Sequence, residues 1–298
     1  MLTETLFTIT VDSCADLPED YLRENDIAVA QLTYFADGIE YGTDENPTEP
    51  AEVFFEQLRG GRMTKTSQIN PDSAYEFLKK HFVNGRPLIH FTLSSGLSGT
   101  YNSFCIAADM LKDEVPSAEI YIIDSYGGSL GQGLCADIAR ELRKEGKPAA
   151  EVAEILREKA PKMRYLFTVD DLQHLYRGGR ITKMSAVFGG VLGIKPMLHA
   201  EDGRLVVSGK IRGRKAALDR LVATMIEQMD RENTKKFAVS HCDSLADAEY
   251  VAEPIRSSMG LPATRLPASF TTSETTAKVS PIFTLRSASR RFFAPIST

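Results

Sequence analysis

The chain has 298 residues, 43% hydrophobic and 25% charged, and no low-complexity tract. That composition fits a soluble globular protein of one large domain or two ordinary ones. A net charge of -5 argues against general binding to nucleic acid or to a membrane surface. No run approaches the roughly 18 apolar residues of a membrane span, and the start, Met1-Leu-Thr-Glu-Thr5, lacks the basic and apolar regions of a signal peptide. Cys14, Cys105, Cys135 and Cys242 lie far apart and read as reduced thiols, with neither a disulfide framework nor a zinc site. The expectation is a cytoplasmic protein without a bound metal.

Strand and helix signals alternate through the first half. Phe7–Val11 is a short strand, followed by the turn Asp12-Ser-Cys-Ala-Asp-Leu17 and a helix from about Glu19. Ile27–Tyr34 reads as a second strand. Helices from Pro50 to Leu58 and from Pro71 to Phe82 each carry Pro near the first turn. Strand Leu88–Leu93, helix Tyr101–Leu111, strand Glu119–Asp124 and helix Leu130–Lys144 follow. Such alternation implies a mainly parallel sheet with helices on both faces. Ligands of such sheets sit at the carboxyl ends of strands. Asp12-Ser13, Ser94–Thr100 and Asp124-Ser125 all fall there.

Beyond Gly146 the pattern changes. Helix Ala149–Ala160 leads to strand Tyr165–Val169 and short helix Leu172–Tyr176. Strands Lys195–His199 and Arg204–Lys210 flank Asp202-Gly203, a hairpin signal. Helix Ala216–Met229, strand Lys236–Ser240 and helix Leu245–Ser258 complete a second, α+β domain. The expected division is an N-terminal α/β domain, residues 1–160, and a C-terminal domain, 161–298. The tail from Leu261 is rich in Ser and Thr, lacks Gly, and shows neither clean alternation nor helical periodicity.

The segment Phe91-Thr-Leu-Ser-Ser-Gly-Leu-Ser-Gly-Thr100 concentrates the chemistry. Glycines permit a sharp turn, small hydroxyls supply donors, and the following helix start adds free N–H groups. Together they suit a phosphate, an oxyanion or a carboxylate. Thr66 and Ser67 could donate to the same anion, or cap the helix that Pro71 opens. A serine nucleophile at Ser98 is the enzyme alternative, but Gly96-Leu-Ser-Gly99 departs from the G-x-S-x-G spacing and no histidine has a catalytic context. A regulatory or DNA-associated protein is a third reading, weakened by the acidic charge. Asp12 and Asp16 could form an acidic metal turn or a helix cap. Arg177-Gly-Gly-Arg180 and Lys210-Ile-Arg-Gly-Arg214 are basic clusters able to meet phosphate or an acidic partner. His241-Cys-Asp-Ser244 reads as a structural cap or pocket wall. Phe188-Gly-Gly-Val-Leu-Gly-Ile194 reads as a close-packed core or the wall of an apolar channel.

Seven segments occur in an order that resembles the DegV family of bacterial fatty-acid-binding proteins. They are Asp12-Ser-x-x-Asp-Leu17, Lys65-Thr-Ser-Gln68, Leu93-Ser-Ser-Gly-Leu-Ser-Gly-Thr-Tyr-Asn102, Ile123-Asp-Ser125, Arg177-Gly-Gly-Arg-Ile-Thr-Lys183, Ile194-Lys-Pro196 and Lys210-Ile-Arg-Gly213. The resemblance covers about residues 6–260. It implies two α/β domains with a long-chain fatty acid such as palmitate buried in the cleft, no other cofactor and no catalysis by the protein alone. It implies that Thr66 and Ser98 bind the carboxylate, with Ser95 and Gly96 on the same turn. It further implies that some members serve as the binding subunit of a fatty acid kinase in lipid metabolism, with Arg180 and Arg212 on the docking surface. A long acyl chain supplies roughly 0.8 kcal/mol per buried methylene, and the carboxylate cannot follow it inward without hydrogen bonds. The family's closing segment with its histidine has no counterpart after Gly260, which reads as a shifted reading frame or a diverged end.

Overall fold

The computed structural model describes residues 6–170, 172–181 and 193–260, and the backbone of 279–286. In chain order the elements are β1 (Thr8–Asp12), α1 (Glu19–Glu24), β2 (Ile27–Ala30), β3 (Tyr34–Ala36), β4 (Ile39–Tyr41), α2 (Ala51–Arg59) and β5 (Thr64–Thr66). There follow α3 (Pro71–His81), β6 (Leu88–Thr92), α4 (Thr100–Glu114), β7 (Ile120–Asp124), α5 (Leu130–Lys144) and α6 (Ala149–Lys159). The remainder comprises β8 (Met163–Val169), α7 (Gln173–Arg177), β9 (Ile194–Glu201), β10 (Arg204–Arg212), α8 (Arg214–Gln228), β11 (Phe237–Ser240), α9 (Leu245–Met259) and β12 (Val279–Arg286).

The chain forms two compact units, Met1–Thr48 with Thr64–Pro161, and Glu49–Met63 with Lys162–Thr298. The segment 49–63, expected in the N-terminal domain, therefore groups with the C-terminal one. Its helix α2 buries Phe54, Phe55 and Leu58, and side chains on and after it engage the second unit. Arg59 pairs with Asp243, and the Met63 sulfur accepts from the Arg177 guanidinium at 3.2 Å.

The first unit is a parallel sheet in the order β2-β1-β6-β7. Parallel strands buried on both faces need helices on both. On one face, Leu88, Ile120 and Ile122 pack with Ala74 and Leu78 of α3 and with Phe104, Ala107 and Leu111 of α4. Alternation turns Ile9, Val11, Ile89 and Phe91 to the other face, where α5 and α6 lie against the strands. The sequence gives α3 a clear start: Asn70 accepts from Ser73 N–H at 2.8 Å, and Pro71 occupies the first helical position. Thr66 and Ser67 are thus not its caps.

The expected strand Ile27–Tyr34 is divided. Leu32 N–H donates to Ser13 Oγ at 3.0 Å instead of extending the parallel ladder. Tyr34 then begins β3, which pairs antiparallel with β4 and β5 in a separate three-stranded sheet. Asp37 and Gly38 take φ values of 52° and 82°, the two left-handed positions of a tight hairpin.

The second unit is an antiparallel sheet ordered β10-β9-β8-β12-β11. Helices α8 and α9 cover it with Leu218, Leu221, Met225, Val251 and Ile255, packed with Leu166 and Met197. Strand β12, in the tail that shows no clean alternation in sequence, lies between β8 and β11. The glycine-rich stretch from Phe188, Thr182 and Lys183, and the rest of the tail lie outside the described residues.

Candidate functional site: the carboxyl edge of the parallel sheet

Strands β1, β6 and β7 run in parallel register, with Val11 beside Phe91 and Thr92 beside Asp124. Their carboxyl ends therefore deliver three turns to one edge of the first unit. Asp12, the last residue of β1, is fully buried. Its Oδ1 accepts from Cys14 N–H and from Gln132 Nε2, each at 2.9 Å, and its Oδ2 accepts from Leu93 N–H at 2.6 Å. Gln132, on the first turn of α5, is equally buried and also donates to Phe91 O at 2.9 Å. Burial pushes the Asp12 carboxyl up to about 6, against the lowering effect of those donors. Gly133 lets α5 approach: a Cβ there would stand 2.8 Å from Ala15 O and 2.9 Å from Leu17 Cδ2.

The turn after β6 is closed on Ser94, which is buried. Ser94 O accepts from Leu97 N–H at 2.9 Å and Ser98 N–H at 3.1 Å, and Ser94 N–H donates to Gly127 O at 2.8 Å in the turn after β7. Ser95 N–H donates to Asp124 Oδ2 at 3.2 Å, and Gly96 N–H to Ser94 Oγ at 3.2 Å. Those two N–H groups are thus engaged within the protein. Ser98 is half-buried; its Oγ accepts from Thr100 N–H at 3.2 Å and shares a 3.0 Å hydrogen bond with Thr100 Oγ1. Thr100 Oγ1 also accepts from Ile69 N–H at 3.3 Å. With Thr100 giving its proton to Ser98, the Ser98 O–H can be donated to an anion.

The segment carrying Thr66 meets this turn. Thr66 ends β5, opposite Tyr34. Ser67 N–H continues to Thr33 O at 3.0 Å, and Ile69 reaches Thr100 as above. Between them the Gln68 amide lies over Gly99. A Cβ on Gly99 would stand 2.8 Å from Gln68 Cδ, so any larger residue there would push the Gln68 side chain aside. Two loops far apart in sequence, each with hydroxyl residues, are joined at one helix start.

His90 of β6 is buried, stacked on Phe104 at 3.7 Å, and hydrogen bonded through Nδ1 to Thr10 Oγ1 at 2.8 Å. Burial drives it down to about 3, so it is a neutral core residue. His241, at the end of β11, accepts from Ser244 N–H through Nδ1 at 3.3 Å. Asp16 adopts φ 52° at the end of the turn after β1 and does not cap α1, whose N-cap is Pro18. Among the described residues no group of acidic, histidine and cysteine side chains is arranged to hold a metal ion. No helix among them is long and apolar enough to cross a membrane.

In the second unit the basic clusters divide. Arg214 is engaged with Asp170 at 3.0 Å and with Asp247. Arg180, in the turn after α7, donates to Gly178 O. Arg212, the last residue of β10, is exposed, as is Lys210 on the same face of that strand. Gln132 had no motif to mark it.

The comparisons agree with this architecture. The family described as "Uncharacterised protein, DegV family" matches residues 6–274. A DegV domain-containing protein of Clostridium perfringens is 37% identical over 251 residues, covering 84% of this chain and 86% of the relative. The structure of a stearic acid-binding protein from Eubacterium ventriosum shares the fold, with TM-score 0.79 at 24% identity over 94% of this chain and 98% of that one. DegV of Bacillus subtilis, a fatty acid binding protein, has TM-score 0.74 at 25% identity over 95% of this chain and all of that one (100%). Its matching family pattern, its relatives and its two-unit fold together establish that this chain belongs to the DegV family.

Proposed function

We propose that this chain is a carrier that binds a long-chain fatty acid and turns over nothing by itself. Thr66 and Ser98 hold the carboxylate, and the protein presents it to a fatty acid kinase for lipid metabolism. The observation that carries the reading is the junction of the two hydroxyl-bearing loops, Gln68 over Gly99 and Ile69 N–H on Thr100 beside Ser98. Ser98 is bonded to Thr100 and His90 to Thr10, an arrangement that supports a donor at Ser98 and not a nucleophile with its base. The Bacillus subtilis relative is itself a fatty acid binding protein.

Purification without detergent followed by native mass spectrometry tests this. A retained long-chain fatty acid is expected in the wild type. Losing a hydrogen bond to a charged group costs about 1.5–3 kcal/mol, so Thr66→Ala with Ser98→Ala should weaken binding by tens-fold or more. Unchanged affinity in a folded double variant removes the assignment. Steady hydrolysis of acyl esters, abolished by Ser98→Ala, overturns the carrier reading.

A further inference from the structure

We infer that Asp12 and Gln132 are positioning residues for the carboxylate site: this buried pair holds the Ser94–Ser98 turn in its binding shape. The inference rests on the fatty acid reading for its functional consequence and on geometry for its mechanism.

Asp12 is fully buried, yet none of its hydrogen bonds comes from a cationic side chain. A buried carboxylate without a cation is costly unless its lone pairs are filled. Here the donors are Cys14 N–H, Leu93 N–H and the Gln132 amide. Leu93 directly precedes Ser94, the residue on which Leu97 and Ser98 close their backbone bonds. The shortest of the Asp12 contacts, 2.6 Å to Leu93 N–H, therefore acts at the root of the turn.

Gln132 strengthens the case. Its Nε2 bridges Asp12 Oδ1 and Phe91 O, so it ties β1 to the residue two before Leu93. Among the described residues its buried Oε1 has no hydrogen-bond partner. An orphaned acceptor costs stability, and an apolar residue of similar size would avoid that cost. What Gln132 supplies is the donated pair of bonds, both directed at the strand ends that launch the turns. Among the described residues Asp12 and Gln132 form no hydrogen bond with Thr66 or Ser98; they act through the backbone of residues 91–98.

The test compares three near-isosteric variants: Asp12→Asn, Gln132→Met and Thr10→Val. Thr10→Val breaks the buried bond to His90 in the same sheet, away from the turn. Each is assayed for thermal midpoint, for palmitate affinity by calorimetry, and for amide hydrogen exchange over residues 91–100. Asp12→Asn and Gln132→Met should weaken palmitate binding about tenfold or more, the effect of one hydrogen bond to a charged group, and accelerate exchange at Leu93–Ser98 selectively. Thr10→Val should lower the midpoint and leave palmitate affinity within about twofold.

Should Asp12→Asn not fold, Gln132→Met decides. Wild-type affinity and exchange in a folded Asp12→Asn or Gln132→Met protein overturns the inference. Equal loss of affinity in Thr10→Val overturns it too, because the effect would then be general destabilisation. If wild-type protein binds no palmitate, the fatty acid reading falls and the exchange pattern alone decides whether the pair holds the turn.

Discussion

At the residue scale, the carboxyl edge mixes side chains whose identity is visible in sequence with environments that are not. The hydroxyls of Thr66 and Ser98 stand out because Ser, Thr and Gly cluster around them. Asp12 stands out as a polar residue ending a strand, but its full burial and its backbone donors emerge only when β6 and α5 are in place. Its titration has a defined sign. The folded state holds the Asp12 proton more tightly than the unfolded chain, with the carboxyl raised from 3.8 to about 6. Between those values the folded state is protonated where the unfolded one is not, so stability from this group falls as pH rises from about 4 to about 6. The span corresponds to on the order of 3 kcal/mol. Urea midpoints of wild type and Asp12→Asn, measured from pH 7 to pH 4.5, isolate the effect because other carboxylates cancel in the difference. The wild type should gain on the variant as pH falls. A wild type that instead loses ground on acidification would mean that the backbone donors outweigh burial and the carboxyl is depressed.

At the element scale, the long strands and helices of the first unit were legible because length makes periodicity readable. Helix α5 spans Leu130–Lys144, the span read from sequence, and the hairpin at Asp202-Gly203 joins β9 to β10 as its signal demands. The strands of the small sheet are three residues each, too short for alternation to declare itself. The turn between two of them is an Asp-Gly pair, Asp37-Gly38, a signal that the sequence reading passed over. The contact between α5 and the turn after β1 was not legible, since it depends on Gly133 leaving room for Ala15 O. Gly133→Ala tests that contact. Alanine would favour an isolated helix by about 1 kcal/mol over glycine, but overpacking against a backbone carbonyl costs about 1–3 kcal/mol. The carbonyl cannot swing aside as a long side chain could, so the steric cost wins. The thermal midpoint should drop by a few degrees, and the same edge should bind fatty acid more weakly. A higher midpoint would show that α5 shifts freely and that propensity dominates.

At the scale of the whole molecule, the chain is acidic, with a net charge of -5, and its basic residues are unevenly committed. Arg59 and Arg214 are tied to aspartates within the second unit, whereas Arg212 and Lys210 are exposed on one face of β10. Arg180 lies half-buried in the turn after α7, its guanidinium folded onto Gly178 O. An exposed charge such as Arg212 contributes about 0–1 kcal/mol to folding, so Arg212 is not needed for stability, and a role in meeting a partner is the one to test for both arginines. If Arg180 and Arg212 dock the proposed kinase, Arg180→Ala and Arg212→Ala should retain palmitate at wild-type affinity. Coupled assays with a fatty acid kinase should then show little acyl phosphate formed from the bound carboxylate and ATP. The defect should deepen with salt for each single variant, because the surviving arginine acts through a screened field. Both variants should unfold at the wild-type midpoint, which separates docking from damage. Weakened palmitate binding with normal kinase coupling would instead place the two arginines at the ligand, and would leave the partner surface to be sought among other residues of the second unit.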